Sequence, residues 1–245
     1  MFFSKLLGWG LKQVDAADSF CSAVFNRKIY YHRIMCGRFA SALKPSDAWL
    51  ELMQEWSDEL FNRYNVSPAS QIGAFVEGRC HAMRWGLVPS WSKEISSKYA
   101  TFNARIESIE SKPAFRSAWR KNQKCLIPAL GYYEWQTEEG LKQPYFVTSY
   151  DEQPLVFAGL WDECMIGDGK LSSCTIITTE SKGELESLHN RMPVMLGVDS
   201  ARQWLQVADD KTLLLDQCRT DFNVYKVDRR VNNSRQEDES LIEPI

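Results

Sequence analysis

The chain has 245 residues, 44% of them hydrophobic and 25% charged, with a formal net charge of −3. That length and composition suit one large domain or two small ones with a real core, and they exclude large-scale disorder. Seven cysteines, at 21, 36, 80, 125, 164, 174 and 218, are odd in number and widely spaced with no C-x-x-C pair. Neither a disulfide framework nor a zinc ribbon is indicated, and a reducing, cytoplasmic setting is expected. Three histidines, one of them adjacent to Cys80, leave little for a metal site, so no metal or other cofactor is expected.

Residues 1–34 hold five Lys/Arg against two Asp, a charge of +3, which leaves −6 for residues 35–245. The longest apolar run here, 6–11, contains two glycines and is far too short to span a membrane, and no secretory signal peptide is legible. The first 34 residues therefore read as an extension (a start assigned too early, a propeptide or an amphipathic arm), and residues 35–245 as a single domain. At the boundary stands Met35-Cys36. If Met35 is the first residue translated and is then removed, Cys36 presents an α-amine, of pKa roughly 7.7 to 8.0, beside a thiol. Such a pair can trap an aldehyde: the amine condenses to a Schiff base and the thiol closes a five-membered thiazolidine. The alternative for Cys36 is a small buried apolar residue.

Beyond Met35 the pattern predicts an α+β domain of mostly antiparallel strands. Pro45 and Ser46 open a helix whose stripe is Trp49, Leu50, Met53 and Trp56. Strands follow at 72–76 and 81–87, then a helix from Ser111 and Pro113 bearing Phe115 and Trp119, then strands at 125–127 and 132–136. Glu138-Glu139-Gly140 and Gly167-Asp168-Gly169 mark two hairpins, the second between runs 155–161 and 173–178. A strand at 194–196, one or two helices across 200–218 and a last strand at 222–227 complete a partly closed barrel or sandwich with flanking helices.

Three polar residues sit in unusual company. Glu134 lies inside the aromatic strand G-Y-Y-E-W, where it is either a buried acid suited to proton transfer or a solvent-facing strand residue. For His189, in a turn before a strand, and Asn103, in F-N-A-R, the residues alone favour a structural role (for Asn103 a turn cap) over a catalytic one or, for Asn103, over holding a nucleophile by hydrogen bonding.

The order of motifs is more specific than any one of them. M-C-G-R-F at 35–39 is followed by R-Y-N-V-S-P at 63–68, R-W-G-L-V-P-S-W at 84–91, N-A-R-I-E at 103–107 and C-L-I-P-A at 125–129. Then come G-Y-Y-E-W at 131–135, F-A-G-L-W at 157–161, H-N-R-M-P at 189–193, V-N-N and L-I-E-P-I. This series resembles the SRAP family, the SOS response-associated peptidases now understood as abasic-site processing proteins, across residues 35–245. The resemblance implies a barrel-like SRAP fold and a covalent crosslink between N-terminal Cys36 and the C1′ aldehyde of an abasic site in single-stranded DNA. That adduct shields the lesion during the DNA damage response. It further implies that Asn103 orients the cysteine, that Glu134 serves acid/base steps, that His189 assists ring opening and crosslink formation or reversal, and that the same site releases the residue before Cys36. The expected partner is DNA alone, with no membrane and no small-molecule cofactor, and the chain is expected to be a monomer, associated with the nucleoid when bound to damage.

Because residues 35–245 are acidic overall, DNA must be held by local cations. Arg38, Arg105 and Arg191 lie in motifs with candidate catalytic residues, and Lys112 and Arg116 open the second helix, so these are expected to meet phosphates. Pro68 and Trp85 resemble family positions that wedge beside or stack on bases. The departures from the family pattern are the extension itself, Leu130 where aspartate is common, and Lys124 where arginine is frequent. Two rival readings stay open: a cysteine protease pairing Cys36 with His189, and a module that binds single-stranded DNA without a covalent bond.

Overall fold

The computed structural model describes residues 37–42, 46–96, 99–151, 153–206 and 211–245, all within the unit Ile34–Ile245 into which contacts divide the chain. In chain order they form β1 (Arg38–Ala40), β2 (Gln71–Val76), β3 (Arg79–Trp85), β4 (Asn103–Arg105), α1 (Arg116–Arg120), β5 (Lys124–Ala129), β6 (Gly131–Glu138), β7 (Leu141–Ser149), β8 (Leu155–Ile166) and β9 (Gly169–Glu180). There follow α2 (Leu185–Leu188), β10 (Arg191–Pro193), β11 (Met195–Leu196), α3 (Val198–Gln206), α4 (Lys211–Asp216) and β12 (Phe222–Lys226).

Five strands close on themselves: β9 pairs β3, β3 pairs β2, β2 pairs β5, β5 pairs β8, and β8 returns to β9. The β3–β9 pairing is parallel and the other four are antiparallel. A second, antiparallel sheet runs β1-β6-β7-β12. The expected α+β architecture is what forms, with the barrel fully closed. Strand β5 is buried at every position, because the barrel interior takes one face while α3 packs beside β5, β8 and β11 on the other.

Turn chemistry places both long hairpins. Glu138 pairs with Leu141, so Glu139 and Gly140 make a two-residue turn with φ of +49° and +80°. Two successive positive φ values match the twist of the flanking strands, and Gly140 takes its value without steric cost. Ile166 pairs with Gly169 across the two-residue turn Gly167-Asp168, in which Gly167 takes the positive φ, +58°.

The helix expected over 46–56 is reduced to a 3-10 turn, Asp47–Trp49. The backbone N–H groups of Leu52 and Met53 donate to Trp49, but those of Gln54 and Glu55 donate to Gly78 in the β2–β3 turn, so tertiary pairing outcompetes the helix. Trp49 and Met53 are buried, as the stripe implied, whereas Leu50 is 47% exposed. Trp56 instead stacks on Phe61 at 3.9 Å between ring centroids and on Phe75 at 5.7 Å. Phe61 lies over Gly73, where a Cβ would meet its Cζ at 2.2 Å, so that strand position accommodates no side chain. The second expected helix is likewise short, a single turn and a half at α1. Pro45 and residues 1–34 lie outside the described residues.

Strand β1 lies between β6 and the segment 63–66. Phe39 exchanges backbone hydrogen bonds with Val66, and the N–H of Ser41 donates to Arg63. Asn65, fully buried, donates from Nδ2 to the carbonyls of Val231, Asn233 and Gln236. The Glu237 carboxylate accepts the N–H groups of Tyr64 and Asn65. The R-Y-N and V-N-N motifs are thus two halves of one clamp. It encloses a small second core of Ala40, Tyr133, Phe146, Val227, Val231 and Leu241.

Candidate active site where barrel meets sheet

Cys36 lies outside the described residues, but the strand that follows it is well defined. Arg38 pairs with Tyr133 and Phe39 with Tyr132, so antiparallel register leads from Arg38 back toward Glu134. Glu134 is 2% exposed, which decides its ambiguity in favour of a buried carboxyl. Alternation puts Tyr132, Glu134 and Gln136 on one face of β6. Tyr132 meets Phe157 of the barrel, and the Gln136 amide donates to the Ser187 carbonyl of α2 at 2.6 Å. His189 caps α2 two residues later. The face of β6 that bears Glu134 is therefore the face turned to the segment bearing His189.

His189 is 4% exposed. Its Nδ1 lies 3.1 Å from the backbone N–H of Arg191, which donates to it, and 3.1 Å from the Arg191 carbonyl oxygen. With its proton on Nε2 the neutral ring accepts the first bond; with a proton on Nδ1, as the other neutral tautomer or as the imidazolium, it donates to the carbonyl. One ring position thus serves both protonation states, which suits a group that relays protons.

Asn103 opens β4, which runs parallel to β9 with Asn103 opposite Ile176. The carbonyl of Phe102, one residue earlier, accepts both the Ile176 N–H at 3.0 Å and the indole N–H of Trp85 at 2.9 Å. Trp85 is fully buried and packs edge-on against Phe39 and Phe102. A tryptophan in that position cannot stack on a base; it fixes β1 and β4 relative to each other. Pro68 is half-buried in a turn whose next residue, Ala69, donates its N–H to the Trp85 carbonyl.

The five expected phosphate cations divide into two groups. Arg105, Lys112 and Arg116 are exposed, and the Arg116 N–H donates to the Lys112 carbonyl, so these two residues share one turn. Arg38 and Arg191 are committed inside the fold. Arg38 donates from Nη1 to Asn65 Oδ1 at 2.8 Å and to the Val231 carbonyl at 2.6 Å, and burial lowers its pKa from the usual value. Arg191, 8% exposed, grips Glu107 with both Nη atoms, at 2.6 and 2.9 Å, and donates from Nη2 to the Thr178 carbonyl at 2.8 Å. Partial burial pushes the Glu107 carboxyl up, but the hydrogen bond and charge of Arg191, with Arg105 adding, outweigh it and hold it below its ordinary value.

Three exposed residues escaped the sequence reading: Trp91 at 64%, Ile95 at 47% and Tyr99 at 72%, all on the β3–β4 connection. The root of that loop is pinned. Val88 N–H donates to Ser173 Oγ and Ser90 N–H to the buried Asp162 carboxylate, each at 2.8 Å, and Leu87 N–H donates to Thr101. Pro89-Ser90, a turn pair at the end of a strand pattern, was the available signal that Trp91 leaves the core.

The five described cysteines are free thiols. Burial, with Glu55 adding, raises Cys80 to about 11; burial likewise raises Cys125, Cys164, Cys174 and Cys218. Among the described residues no thiol is set up as a nucleophile, and no group of three or more His, Cys, Asp or Glu could hold a metal ion. A separate open cleft of about 650 Å³, lined in part by His81, Trp161 and Glu163, contains none of the candidate residues.

A closed five-strand barrel backed by a small antiparallel sheet, with a buried carboxyl on β6 and a buried imidazole at the end of α2, defines a class of mostly-β proteins. The chain belongs to the SOS response associated peptidase (SRAP) family, whose model matches residues 35–234. It is 32% identical over 227 residues to the abasic site processing protein YoaM of Bacillus subtilis, covering 85% of this chain and 98% of that one. It is 31% identical over 253 residues to the abasic site processing protein HMCES of Xenopus tropicalis, covering 82% and 76% respectively. In fold it is similar to a crystal structure of a Bacteroides thetaiotaomicron protein, with a TM-score of 0.73 and 22% identity, over 86% of this chain and all of that one.

Proposed function

We propose that this protein processes abasic sites in single-stranded DNA by covalent capture, with Cys36 as the N-terminal nucleophile. The observation that carries the reading is that β6, beside β1, turns its Glu134-bearing face through Gln136 to the helix that ends at His189, in a chain whose relatives are named abasic site processing proteins. The amine of Cys36 attacks the C1′ aldehyde and one water leaves as the imine forms. The thiol then adds across the C=N bond, its proton passing to nitrogen, to give the thiazolidine. Glu134 takes and returns the protons of condensation, His189 protonates the sugar oxygen as the ring opens, and Asn103 orients the cysteine. The chemistry needs a free α-amine, so either translation starts at Met35, which is then removed, or residues 1–35 are released by cleavage of the Met35-Cys36 bond at the same site.

Arg105, Lys112 and Arg116 supply exposed cations for phosphates, and Trp91 and Tyr99 supply exposed rings on which bases stack. The test is intact mass before and after mixing with a single-stranded oligonucleotide bearing one abasic site. The expected product is the chain from Cys36 plus the oligonucleotide minus one water, absent for Cys36→Ala and slow for Glu134→Gln. Reversible binding with no mass shift would sink the covalent reading, and turnover of peptides with the N-terminus blocked would favour a cysteine protease.

A further inference from the structure

We infer that Glu107 is a positioning residue for His189, acting through Arg191; this rests on the reading of His189 as the proton relay. The imidazole is held by the peptide of Arg191, whose N–H and carbonyl both lie 3.1 Å from Nδ1. Ring orientation and tautomer therefore follow wherever that peptide goes. The peptide is held by the pairing of β10 with β9 and, through its own side chain, by a guanidinium gripped from two sides: bidentate by Glu107 at 2.6 and 2.9 Å, and by the Thr178 carbonyl at 2.8 Å. A planar fork matched to a carboxylate has one geometry, unlike a single contact.

The placement of the two partners gives the pair its reach. Glu107 lies in the 3-10 turn Ile106–Ser108 that follows β4, and Arg191 opens β10. Thr178 of β9 stands between them, opposite Arg105 on one side and Pro193 on the other. The ion pair thus spans β9 and ties the strand that begins with Asn103 to the segment that holds His189. Two of the sequence motifs, N-A-R-I-E and H-N-R-M-P, meet through the last residue of the first and the third of the second. Arg191 is nearly buried while Glu107 is half exposed, so the carboxylate can be altered from the surface while the rest of the site stays packed.

Glu107→Gln keeps the size and one acceptor but loses the charge and the second arm of the fork. The chain has three histidines, which makes the His189 ring accessible to 15N NMR. Above the usual imidazole range, a single neutral tautomer is expected to dominate in the unsubstituted protein, and Glu107→Gln is expected to give a mixed population. Crosslinking to the abasic oligonucleotide is expected to slow about tenfold to a hundredfold, the cost of a small misplacement at a reacting centre, with affinity for an intact single strand changed less than twofold. Glu107→Asp, which restores the charge on a shorter arm, should recover part of the rate. An unchanged tautomer population overturns the inference, even if thermal stability falls, because the pair would then be only structural. Tighter DNA binding at an unchanged rate also overturns it, since Glu107 would then be a carboxylate that competes with phosphate for Arg191. If the unsubstituted protein forms no crosslink, the proposed function fails by itself, and the NMR comparison still decides whether Glu107 positions the ring.

Discussion

Exchanging the roles of two tryptophans gives the sharpest test of the structure. Trp85 is fully buried, with its ring edge-on to Phe39 at 5.1 Å and its indole N–H on the Phe102 carbonyl at 2.9 Å. Trp85→Phe removes that donor, but Phe102 keeps the Ile176 N–H at 3.0 Å, so no carbonyl is orphaned. The lost hydrogen bond costs about 1 kcal/mol. The missing half of the indole adds the cost of a partly collapsed cavity, well short of the ~3–5 kcal/mol expected for Trp85→Ala. The melting temperature should fall by roughly 2–4 °C for each kcal/mol lost. Trp91, by contrast, is 64% exposed. Trp91→Ala should leave stability within about 0.5 kcal/mol while weakening single-stranded DNA by ~1–3 kcal/mol, the usual loss for one stacked base. Denaturant melts and fluorescence anisotropy with a labelled oligonucleotide read the two quantities separately. If Trp85→Phe instead leaves the fold intact and weakens DNA, while Trp91→Ala does the opposite, the placement of both rings is wrong.

Two further outcomes follow from the described contacts. Asn65→Ala should cost about 3 kcal/mol in a urea melt, because it strips a buried donor from the carbonyls of Val231, Asn233 and Gln236 and leaves Arg38 short of an acceptor; a loss under about 1 kcal/mol would mean that water fills the site without penalty. Stability should also fall in acid. Arg219 lowers the Asp221 carboxyl, and against the upward push of burial Asp151 is lowered by Ser149, Gln153 and Arg219 and Glu107 mainly by Arg191. A depressed folded pKa gives stability present above the unfolded pKa of about 4 and lost as pH drops through the folded values. Urea melts should therefore be level from neutrality to about pH 5 and decline below about pH 4, less steeply in Asp221→Asn. A stability that rises between pH 5 and 3 would contradict these pairings.

The hairpins were legible because period-2 runs met turn residues that only certain φ values satisfy, as at Glu139-Gly140. Closure of the barrel was not, because the parallel β3–β9 contact joins Arg84 to Ser173 with no local sign in either strand. The helix expected after Ser46 failed for a related reason: its apolar spacing was right, yet Gly78, far along the chain, captured the N–H groups that would have continued it. For the candidate site, the aromatic neighbours of Glu134 left burial as one of two readings, and the fold decided between them. The arginines were harder, since composition shows a charge but not its counterpart. Arg38 and Arg191 look as available as Arg105 until Asn65 and Glu107 are folded against them. Trp85 and Trp91 share one motif and differ only in which side of Pro89 they fall.

The clamp on β1 has a consequence for how the protein is made. Arg38 reaches Val231 across 193 residues of sequence, and the small core under β1 is completed by Val227, Val231 and Leu241. Loops that long close late, after locally bonded hairpins have formed. The strand synthesised first is thus among the last to dock, and a nascent chain whose barrel is already closed still lacks a seated N-terminal strand. The chemistry proposed for the residue before Gly37 would thereby wait until residues beyond 240 are in place.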